Sequence, residues 1–484
     1  MKKDFLHHLG AFGFGKIEPV VLAALISEDP LLLIGKAGTG KTFLLNSLSE
    51  ALGLEHRHYN ASLLSFDDLV GFPMPSADGQ SVDFLPTPAT VWKAESVLID
   101  ELSRCRPETQ NKLFSVIHER RVQGIELPHL RYRWAAMNPL SHPDKNEEDH
   151  YEGSLALDQA LADRFAWIIT VPDWSELSTE EQDLVIHPAG ENKMNPPAQP
   201  LLQTVQEGRA AFQSRIQSCT AVVTTYCRVA ASILTEAGFR ISPRRARLLA
   251  RNLTALQVAQ ELLNGTDESA MTESTFKLGL TWSLPHRAWR AQLPAHVIDS
   301  AHAESFKAAT SADPVRQWLT EFDHTHSLER RLDLLLEPKL SIDTRSLGLI
   351  RYLNRTSVTD AAIFAFSSFP FLSRLNILND EAVNLLSEKA SQVLHVEGEV
   401  QWKPAASGPM SAPHPELSDC EKFFQTSLKG KTKRIGRARQ LFLFMILNRI
   451  PIPEPELTEE RLDRFFRHVA ALSKQTDSLK GVPA

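Results

Sequence analysis

The stretch from Gly35 to Thr42 reads GKAGTGKT and directly follows the apolar run PLLLI. It has the pattern GxxxxGK[ST], in which glycines let successive backbone N–H groups turn toward phosphate oxygens at the start of a helix. The pattern therefore requires a strand before the loop and a helix after it. It predicts Lys41 on the β- and γ-phosphates of a nucleotide and Thr42 on a Mg²⁺ ion. The predicted phosphate-binding residues are Gly35, Lys36, Ala37, Gly38, Thr39, Gly40, Lys41 and Thr42. Kinases, GTPases, nucleic-acid motors and protein-remodelling rings share this loop, so the activity stays open.

A second apolar strand, SVLID at 96–100, ends in Asp100 and is followed by Glu101. The carboxyl ends of parallel strands meet at one edge of a sheet, so Asp100 is predicted beside the loop as a ligand of the same Mg²⁺. Glu101 adds a carboxylate that can polarise an attacking water. A kinase needs no such water, so the pair favours hydrolysis. The alternative is that these two acids simply begin a surface loop.

Two further polar residues follow in chain order. Asn138 ends the strand pattern RYRWAAMN, where its amide can fix the same water against the γ-phosphate. Asparagine before proline is equally ordinary in a turn. Arg164, in ALADRF, precedes the strand pattern AWIITV and is predicted to stabilise transition-state charge on a nucleotide held by a neighbouring subunit. A surface ion pair is the alternative for Arg164.

Short apolar runs alternate with helical patterns up to about residue 172, which predicts an α/β fold with a parallel sheet covered by helices. The predicted strands are 30–35, 56–62, 96–100, 131–138 and 166–171. From Ser175 onward the pattern is mostly helical. We expect three domains, namely an α/β nucleotide-binding core at 1–190, a small helical domain at 200–295 and a mainly α-helical domain at 296–484. Breaks are predicted at 190–200 and 403–416. The last helix is predicted to be capped by Thr458, with one apolar face formed by Leu462, Phe465, Phe466, Val469 and Leu472.

Composition narrows the class of protein. The 484 residues are 43% hydrophobic and 23% charged, as expected of a globular protein with several domains, and the net charge of -7 gives no global reason for nucleic-acid binding. The exception is KGKTKRIGRAR at 429–439, with six basic residues and no acid. A solvated helix face is favoured there, with nucleic-acid contact as the alternative. We find no signal peptide, no membrane-spanning run and no cysteine spacing typical of metal sites, so we expect a cytoplasmic protein.

In this order the motifs resemble those of the AAA+ ATPases, and more narrowly those of the MoxR branch with its dynein-related relatives. The resemblance covers about residues 10–290 and runs through GKAGTGKT, SVLIDELSR, PETQNKLFSVIHERRV, AAMNP, ALADRF, ISPRRARLLARNL and TWSLPHRAW. It implies ATP and Mg²⁺ as cofactors, a helical lid at 200–295 and assembly into a ring, with a hexamer expected. By family analogy Arg244 contacts the γ-phosphate from the lid as the sensor-2 residue. Arg245 is the alternative register.

The segment 61–92 resembles the family's helix-2 insertion, a hairpin that faces the pore of the ring. The chain departs from its relatives at two places, with Thr87-Pro88 where they usually have Gly-Pro and DELSR where they have DEINR. These differences affect the expected shape of the hairpin and the role of Arg104. For Arg104, a surface ion pair is favoured over a nucleotide contact at a subunit interface.

The resemblance implies ATP hydrolysis by a ring that remodels or activates a protein client, commonly with a von Willebrand A-domain partner. That partner would be a separate protein, because this chain has no DxSxS motif. One alternative is a nucleic-acid motor, or the nucleotide-driven subunit of a restriction or defence complex, acting through 429–439. Another is a binding module in which nucleotide only switches assembly. Residues 296–484 match no pattern known to us and are predicted to select the client.

Overall fold

The computed structural model describes residues 5–75, 82–105, 107–140, 155–187, 198–265, 272–289, 293–395, 422–423 and 432–480. The chain forms two compact units, Met1–Thr310 and Ser311–Ala484. The predicted break at 403–416 and most of the one at 190–200 lie outside the described residues. Among the described residues, no helix combines the length and apolar character that crossing a membrane requires.

A parallel five-stranded sheet lies at the centre of the first unit. Its strands in chain order are β1 (Leu31–Ile34), β2 (His56–Asn60), β5 (Ser96–Asp100), β8 (Tyr132–Met137) and β9 (Trp167–Thr170). Their order across the sheet is β2-β5-β8-β1-β9, and every pairing is parallel. The three central strands are apolar along almost their whole length because both faces of the sheet are covered. Among the described residues, two antiparallel strand pairs lie outside the sheet: β3 (Phe72–Pro75) with β4 (Val82–Leu85), and β6 (Arg121–Val122) with β7 (Ile125–Glu126).

Helices cover the sheet and continue beyond it. Those up to the end of the sheet are α1 (Phe5–His8), α2 (Glu18–Ser27), α3 (Lys41–Ala51), α4 (Phe66–Val70), α5 (Pro107–Phe114), which continues as a π turn at Ser115–Glu119, and α6 (Gln159–Ala162). After the sheet come α7 (Thr179–Ile186), α8 (Ala198–Ile216), α9 (Ala221–Glu236), α10 (Pro243–Asn264), α11 (Glu273–Ser283) and α12 (Ala295–Thr310). The 3₁₀ turns are Gly15–Ile17, Val91–Lys93, Leu102–Arg104, Trp174–Glu176 and Pro285–Arg287.

Alternate residues of each strand point to opposite faces, so the sheet has a separate core on each side. One core lies around Ile34, Val97 and Ile99. The other contains Leu31 and Leu33 together with residues of α2, α8 and α10. The predicted lid helices α8 and α10 therefore share a core with the sheet.

Close packing between α2 and α8 illustrates this shared core. A Cβ atom added to Gly208 of α8 would lie 2.6 Å from Ile26 Cδ1 of α2, so the two helices approach closely only because residue 208 has no side chain. Phe212 and Leu256 are fully buried in the same core. The first compact unit thus has continuous packing from the sheet into α8 and α10.

A smaller core fills the end of the first unit. It joins α9, α10, α11 and α12, and Ile298 and Ala301 bring α12 into it. Tyr226 of α9 also lies 2.9 Å from Nδ1 of His302 on α12. The helix at 295–310 is therefore part of the first compact unit.

The regular secondary structure of the second unit is helical among the described residues, and the unit has its own core. Its helices are α13 (Pro314–Asp323), α14 (Leu328–Leu335), α15 (Ile342–Arg355), α16 (Val358–Leu372), α17 (Asp380–Leu394), α18 (Lys433–Leu447) and α19 (Pro455–Lys480). The predicted fold class, a parallel α/β sheet followed by a mainly helical C-terminal region, is confirmed. The division into three domains stays a prediction.

One detail of the last helix was predicted wrongly. The helix begins at Pro455, so Thr458 lies within its first turn and its hydroxyl donates to the Glu454 carbonyl at 2.9 Å. Proline fits the first turn because it needs no hydrogen-bond donor there. The predicted apolar face does point into the core through Leu462 and Phe465.

Candidate active site

The loop at 35–42 connects β1 to α3 and needs its glycines. Gly38 and Gly40 have φ angles of 80° and 77°, in the left-handed region that favours glycine. A Cβ on Gly35 would lie 2.2 Å from Cγ2 of Val171 on the segment after β9. The backbone therefore takes the tight course that lets N–H groups face a phosphate.

Lys41 lies at the start of α3 and is only 7% exposed. Its Nζ donates to the carbonyls of Gly35 and Lys36, both at 2.7 Å, and to Asn138 Oδ1 at 3.4 Å. Burial lowers the pKa of Lys41, and the carboxylates of Asp100 and Glu101 oppose that shift without cancelling it. The ammonium group is thus held against the loop.

Thr42 and Asp100 offer oxygen atoms beside this lysine. Thr42 Oγ1 donates to Asp100 Oδ2 at 2.8 Å, and His58 Nε2 lies 3.4 Å from the same oxygen. The N–H of Glu101 donates to Asp100 Oδ1 at 2.8 Å. Burial opposes ionisation of Asp100, but these three hydrogen bonds outweigh it and hold the pKa of the carboxyl below its usual value. An ionised carboxylate next to a hydroxyl is a donor set that fits Mg²⁺.

Glu101 is held by two neighbouring side chains. Asn138, only 3% exposed, donates from Nδ2 to Glu101 Oε2 at 3.4 Å, and Arg104 Nε lies 3.3 Å from the same oxygen. Glu101 has a φ of 55°, an uncommon backbone conformation for a residue other than glycine and one often found at functional sites. The structure therefore brings Lys41, Glu101 and Asn138 together and gives Arg104 an ion pair with Glu101.

Arg164 and Arg244 belong to a different cluster. Arg164 Nη1 donates to the Ala160 carbonyl at 2.6 Å, and its guanidinium lies 4.5 Å from the centre of the Phe114 ring. Arg244 Nη1 lies 3.6 Å from Asp163 Oδ2. None of these contacts involves the loop at 35–42 or the acidic strand. Within the described residues, the structure does not join these two arginines to the group around Lys41.

Arg245, the other candidate for contact with the γ-phosphate, is enclosed. Its side chain is 2% exposed, whereas that of Arg244 is 38% exposed. Its guanidinium donates to Asp163 Oδ1 at 3.1 Å and to the Ser283 carbonyl at 2.7 Å. Arg244 is therefore the accessible arginine of the two.

Three residues that lie at these sites had no role predicted from the sequence. His58 contacts Asp100, and Asp163 contacts both arginines at the start of α10. Asp173, on the segment after β9, lies 3.2 Å from Lys36 of the loop. A local signal existed only for Asp163, which is next to Arg164 in sequence.

The basic stretch 429–439 is described from residue 432 onward, where it begins α18. Arg434 forms two hydrogen bonds with Glu459 of α19, at 2.5 and 2.7 Å. Arg437 lies 3.6 Å from Asp463 and 4.2 Å from the centre of the Phe466 ring. Two of the six basic residues therefore pair with acids of the neighbouring helix.

Known proteins resemble parts of this chain. The uncharacterized protein YeaC of Bacillus subtilis (strain 168) is 27% identical over 168 residues, which make up 33% of this chain and 48% of YeaC. The chain thus spans about half the length of that relative. A solved structure of a Cytophaga hutchinsonii ATCC 33406 protein, described as a putative ATPase, matches 61% of this chain and 91% of its own chain, at 19% identity and a TM-score of 0.45.

A family model gives the match that bears on the site. It is described as the AAA domain (dynein-related subfamily) and matches residues 30–165. That range contains the loop at 35–42, the acidic strand β5, Asn138 and Arg164. Residues 30–165 of this chain are therefore similar to the AAA domain of the dynein-related subfamily.

Proposed function

We propose that this protein is an ATPase that works as a ring, with a hexamer expected, and uses ATP hydrolysis to remodel or activate a protein client in the manner of the MoxR branch. The observation that carries the proposal is the contact of Asn138 with both Lys41 and Glu101, at 3.4 Å each. One amide thus links a phosphate-binding ammonium to a carboxylate able to polarise water. A kinase passes the phosphoryl group to a hydroxyl and needs no activated water, so a carboxylate placed to polarise water favours hydrolysis.

In the proposed reaction, a water oxygen attacks the γ-phosphorus of ATP while the bond to the bridging oxygen of ADP breaks. Glu101 accepts the proton of this water, and Asn138 keeps the carboxylate oriented. Lys41 and the N–H groups of the loop hold the β- and γ-phosphates. Thr42 and Asp100 would hold a Mg²⁺ ion, which would supply positive charge against the phosphate oxygens.

Arg164 and Arg244 are proposed to act on the nucleotide of a neighbouring subunit. Their contacts lie with Ala160, Phe114 and Asp163 rather than with the loop of their own chain. An arginine supplied from outside can stabilise the charge of the transition state. This arrangement requires the ring, because one subunit alone offers an incomplete site.

Residues 296–484 are proposed to select the client, together with a von Willebrand A-domain partner. Support comes from the second compact unit, Ser311–Ala484, which buries its own core. The elements of the proposed reaction all precede residue 250. A folded unit without a part in the chemistry is available for recognition.

The second candidate function is a nucleic-acid motor or a subunit of a restriction or defence complex. Its sequence support was the basic stretch 429–439, but Arg434 and Arg437 pair with Glu459 and Asp463 within the chain. Basic residues already engaged by carboxylates contribute less to phosphate binding. The pairing therefore favours a protein client. ATPase activity stimulated by DNA and suppressed steeply by salt would instead support the motor.

The decisive experiment compares Lys41→Ala with Glu101→Gln in the full chain by titration of a fluorescent ATP analogue and by phosphate release. Lys41→Ala should lose binding because it removes a phosphate contact. Glu101→Gln should bind ATP normally and lose turnover, because only the polarising carboxylate is gone. Equal loss of binding in both variants would contradict the proposed roles.

The Glu101→Gln variant also tests whether the ATP-bound protein retains a protein client. Held in its ATP state, it should retain the client in a pull-down, and Lys41→Ala is the matched control. Assembly and partner binding are also compared between the wild type and the protein with hydrolysis blocked. If blocking hydrolysis changes neither, nucleotide only switches assembly and the binding-module alternative holds.

A further inference from the structure

Arg245 of α10 holds the short turn that carries Arg164. Its Nε donates to Asp163 Oδ1 at 3.1 Å and its Nη2 to the Ala162 carbonyl at 3.2 Å, both before Arg164 in sequence. Its Nη1 donates to the Phe165 carbonyl at 2.9 Å, directly after Arg164. One buried guanidinium therefore forms hydrogen bonds on both sides of Arg164. We call these contacts of Arg245 with Ala162, Asp163 and Phe165 the clamp.

Asp163 is held a second time from the start of the same helix. Ser242 Oγ donates to Asp163 Oδ2 at 2.8 Å and, as the N-cap of α10, accepts the N–H of Arg245 at 3.0 Å. Both oxygens of the Asp163 carboxylate are thus engaged by α10. Because a buried guanidinium is costly unless its donors are paired, the arrangement favours one geometry.

Arg164 and Arg244 lie close to each other beside this clamp. Arg244 Nη1 is 3.6 Å from Asp163 Oδ2, the residue next to Arg164. Burial, and then the charge of Arg244, lower the pKa of Arg164. Burial, and then the charges of Arg244 and Arg164, lower the pKa of His118. Both guanidinium charges therefore act on one imidazole, and they share one region of the surface.

We infer that Asp163 and Arg245 are positioning residues that hold Arg164 and Arg244 as one rigid pair, so that both reach the nucleotide of the neighbouring subunit together. The inference rests on the proposed shared site. In this inference the role of Arg245 is to support the turn that carries Arg164, and not to contact the γ-phosphate. Loss of the clamp should misplace Arg164 and Arg244, which a subunit supplies to the nucleotide of its neighbour. The phosphate loop of the same subunit should stay intact.

The test uses Asp163→Asn in the full chain, because asparagine keeps the shape of the side chain and removes the charge that pairs with Arg245. Asp183→Asn is the matched control, since Asp183 is an exposed carboxylate on α7. Each variant is assayed alone for nucleotide affinity and kcat. It is then mixed in equal amounts with Lys41→Ala subunits or with Arg164→Ala subunits, with subunit exchange followed by labelled protein.

The Asp163→Asn variant should bind nucleotide within about threefold of the wild type and lose about 10- to 100-fold in kcat, since a catalytic group displaced by about 1 Å can cost about 100-fold. Mixing with Lys41→Ala should recover ATPase activity. At some interfaces the intact phosphate loop of an Asp163→Asn subunit then faces the intact arginine pair of a Lys41→Ala subunit. Mixing with Arg164→Ala should recover none. A general folding defect would prevent recovery in both mixtures. Asp183→Asn should behave as the wild type.

Two results would overturn the inference, and they differ. If Asp163→Asn alone binds nucleotide like the wild type, and Arg164→Ala with Lys41→Ala recovers activity but Asp163→Asn with Lys41→Ala does not, the clamp does not act through the donated pair. If neither mixture recovers although subunits exchange, the shared site itself is wrong and the inference falls with it. Should Asp163→Asn be insoluble, Ser242→Ala replaces it, because it removes one of the hydrogen bonds to Asp163 and predicts a smaller loss with the same pattern of recovery.

Discussion

Thr42 donates a hydrogen bond of 2.8 Å to Asp100, although the two residues are 58 positions apart in the sequence. Thr42 follows β1 through the phosphate loop, and Asp100 ends β5, which lies two positions away from β1 in the sheet order. The parallel arrangement of the strands brings their carboxyl ends to the same edge. A hydroxyl and a carboxylate therefore meet at the place where the loop is predicted to hold phosphates.

We predict that Thr42→Val raises the Mg²⁺ concentration needed for half-maximal ATP binding by about tenfold, because it removes one oxygen ligand while keeping the shape of the side chain. Thr42→Ser retains the hydroxyl and should stay near the wild type. The measurement is a Mg²⁺ titration of nucleotide binding, with EDTA addition to confirm reversal. An equal loss in the valine and serine variants would show that packing, rather than the hydroxyl, matters at this position.

Asn138→Ala should lower kcat by about 10- to 100-fold and change the dissociation constant for ATP by less than about threefold. The reason is that Asn138 contacts Glu101, whose proposed role is in the chemical step, while Lys41 loses only its 3.4 Å contact with Asn138 and keeps its two hydrogen bonds of 2.7 Å to the loop. Arg104→Ala is the comparison, since Arg104 contacts the same Glu101 oxygen from a half-exposed position. We expect it to cost less than about fivefold in kcat. A larger loss for Arg104→Ala than for Asn138→Ala would reverse this assignment.

A chain ending at Thr310 should fold and bind ATP but fail to retain the client, whereas a chain ending at residue 295 should be unstable. The reason is that α12 buries Ile298 and Ala301 in a core shared with α9 and α11. Removing α12 exposes that core, and we expect the melting temperature to fall by about 5 °C or more relative to the 1–310 chain. Thermal unfolding of the two chains measures this. Equal melting temperatures would show that α12 is dispensable.

His286 should make the first compact unit sensitive to acid. Burial, and then the charge of Arg287, lower the pKa of His286 to about 3, against about 6.5 in an unfolded chain. Between these values the unfolded chain binds more protons, so the free energy of unfolding falls as the pH drops, by at most about 1.4 kcal/mol per pH unit. His286→Phe should lose less melting temperature than the wild type between pH 7 and pH 5. The exposed His296→Gln should keep the wild-type slope, and an unchanged slope in His286→Phe would contradict the prediction.

Local patterns in the sequence predicted the fold class because the signals for a strand and for a phosphate loop are themselves local. Each strand of the large sheet lies within its predicted range, and the eight-residue loop joins a strand to a helix as expected. The partners of Lys41 were predictable in kind, since polar residues that end neighbouring parallel strands meet at one edge.

Contacts over long distances in sequence were not predictable in this way. The pairing of Asp163 with Arg245 spans 82 positions and depends on how α10 packs against the turn before β9. The start of the last helix was also misjudged, because Thr458 is a good N-cap by type while Pro455 begins the helix one turn earlier. Local propensity is a weak guide wherever tertiary packing decides.

The shared core of α2, α8 and α10 limits how this chain can be recombined with its relatives. Gly208 faces Ile26 so closely that a lid taken from another protein, with any larger residue at that position, would push against α2. A chimera cut at 190–200 would therefore need matched substitutions on both sides of the cut. A chimera should therefore be joined after Thr310, where one compact unit ends and the next begins, because a cut there divides neither core.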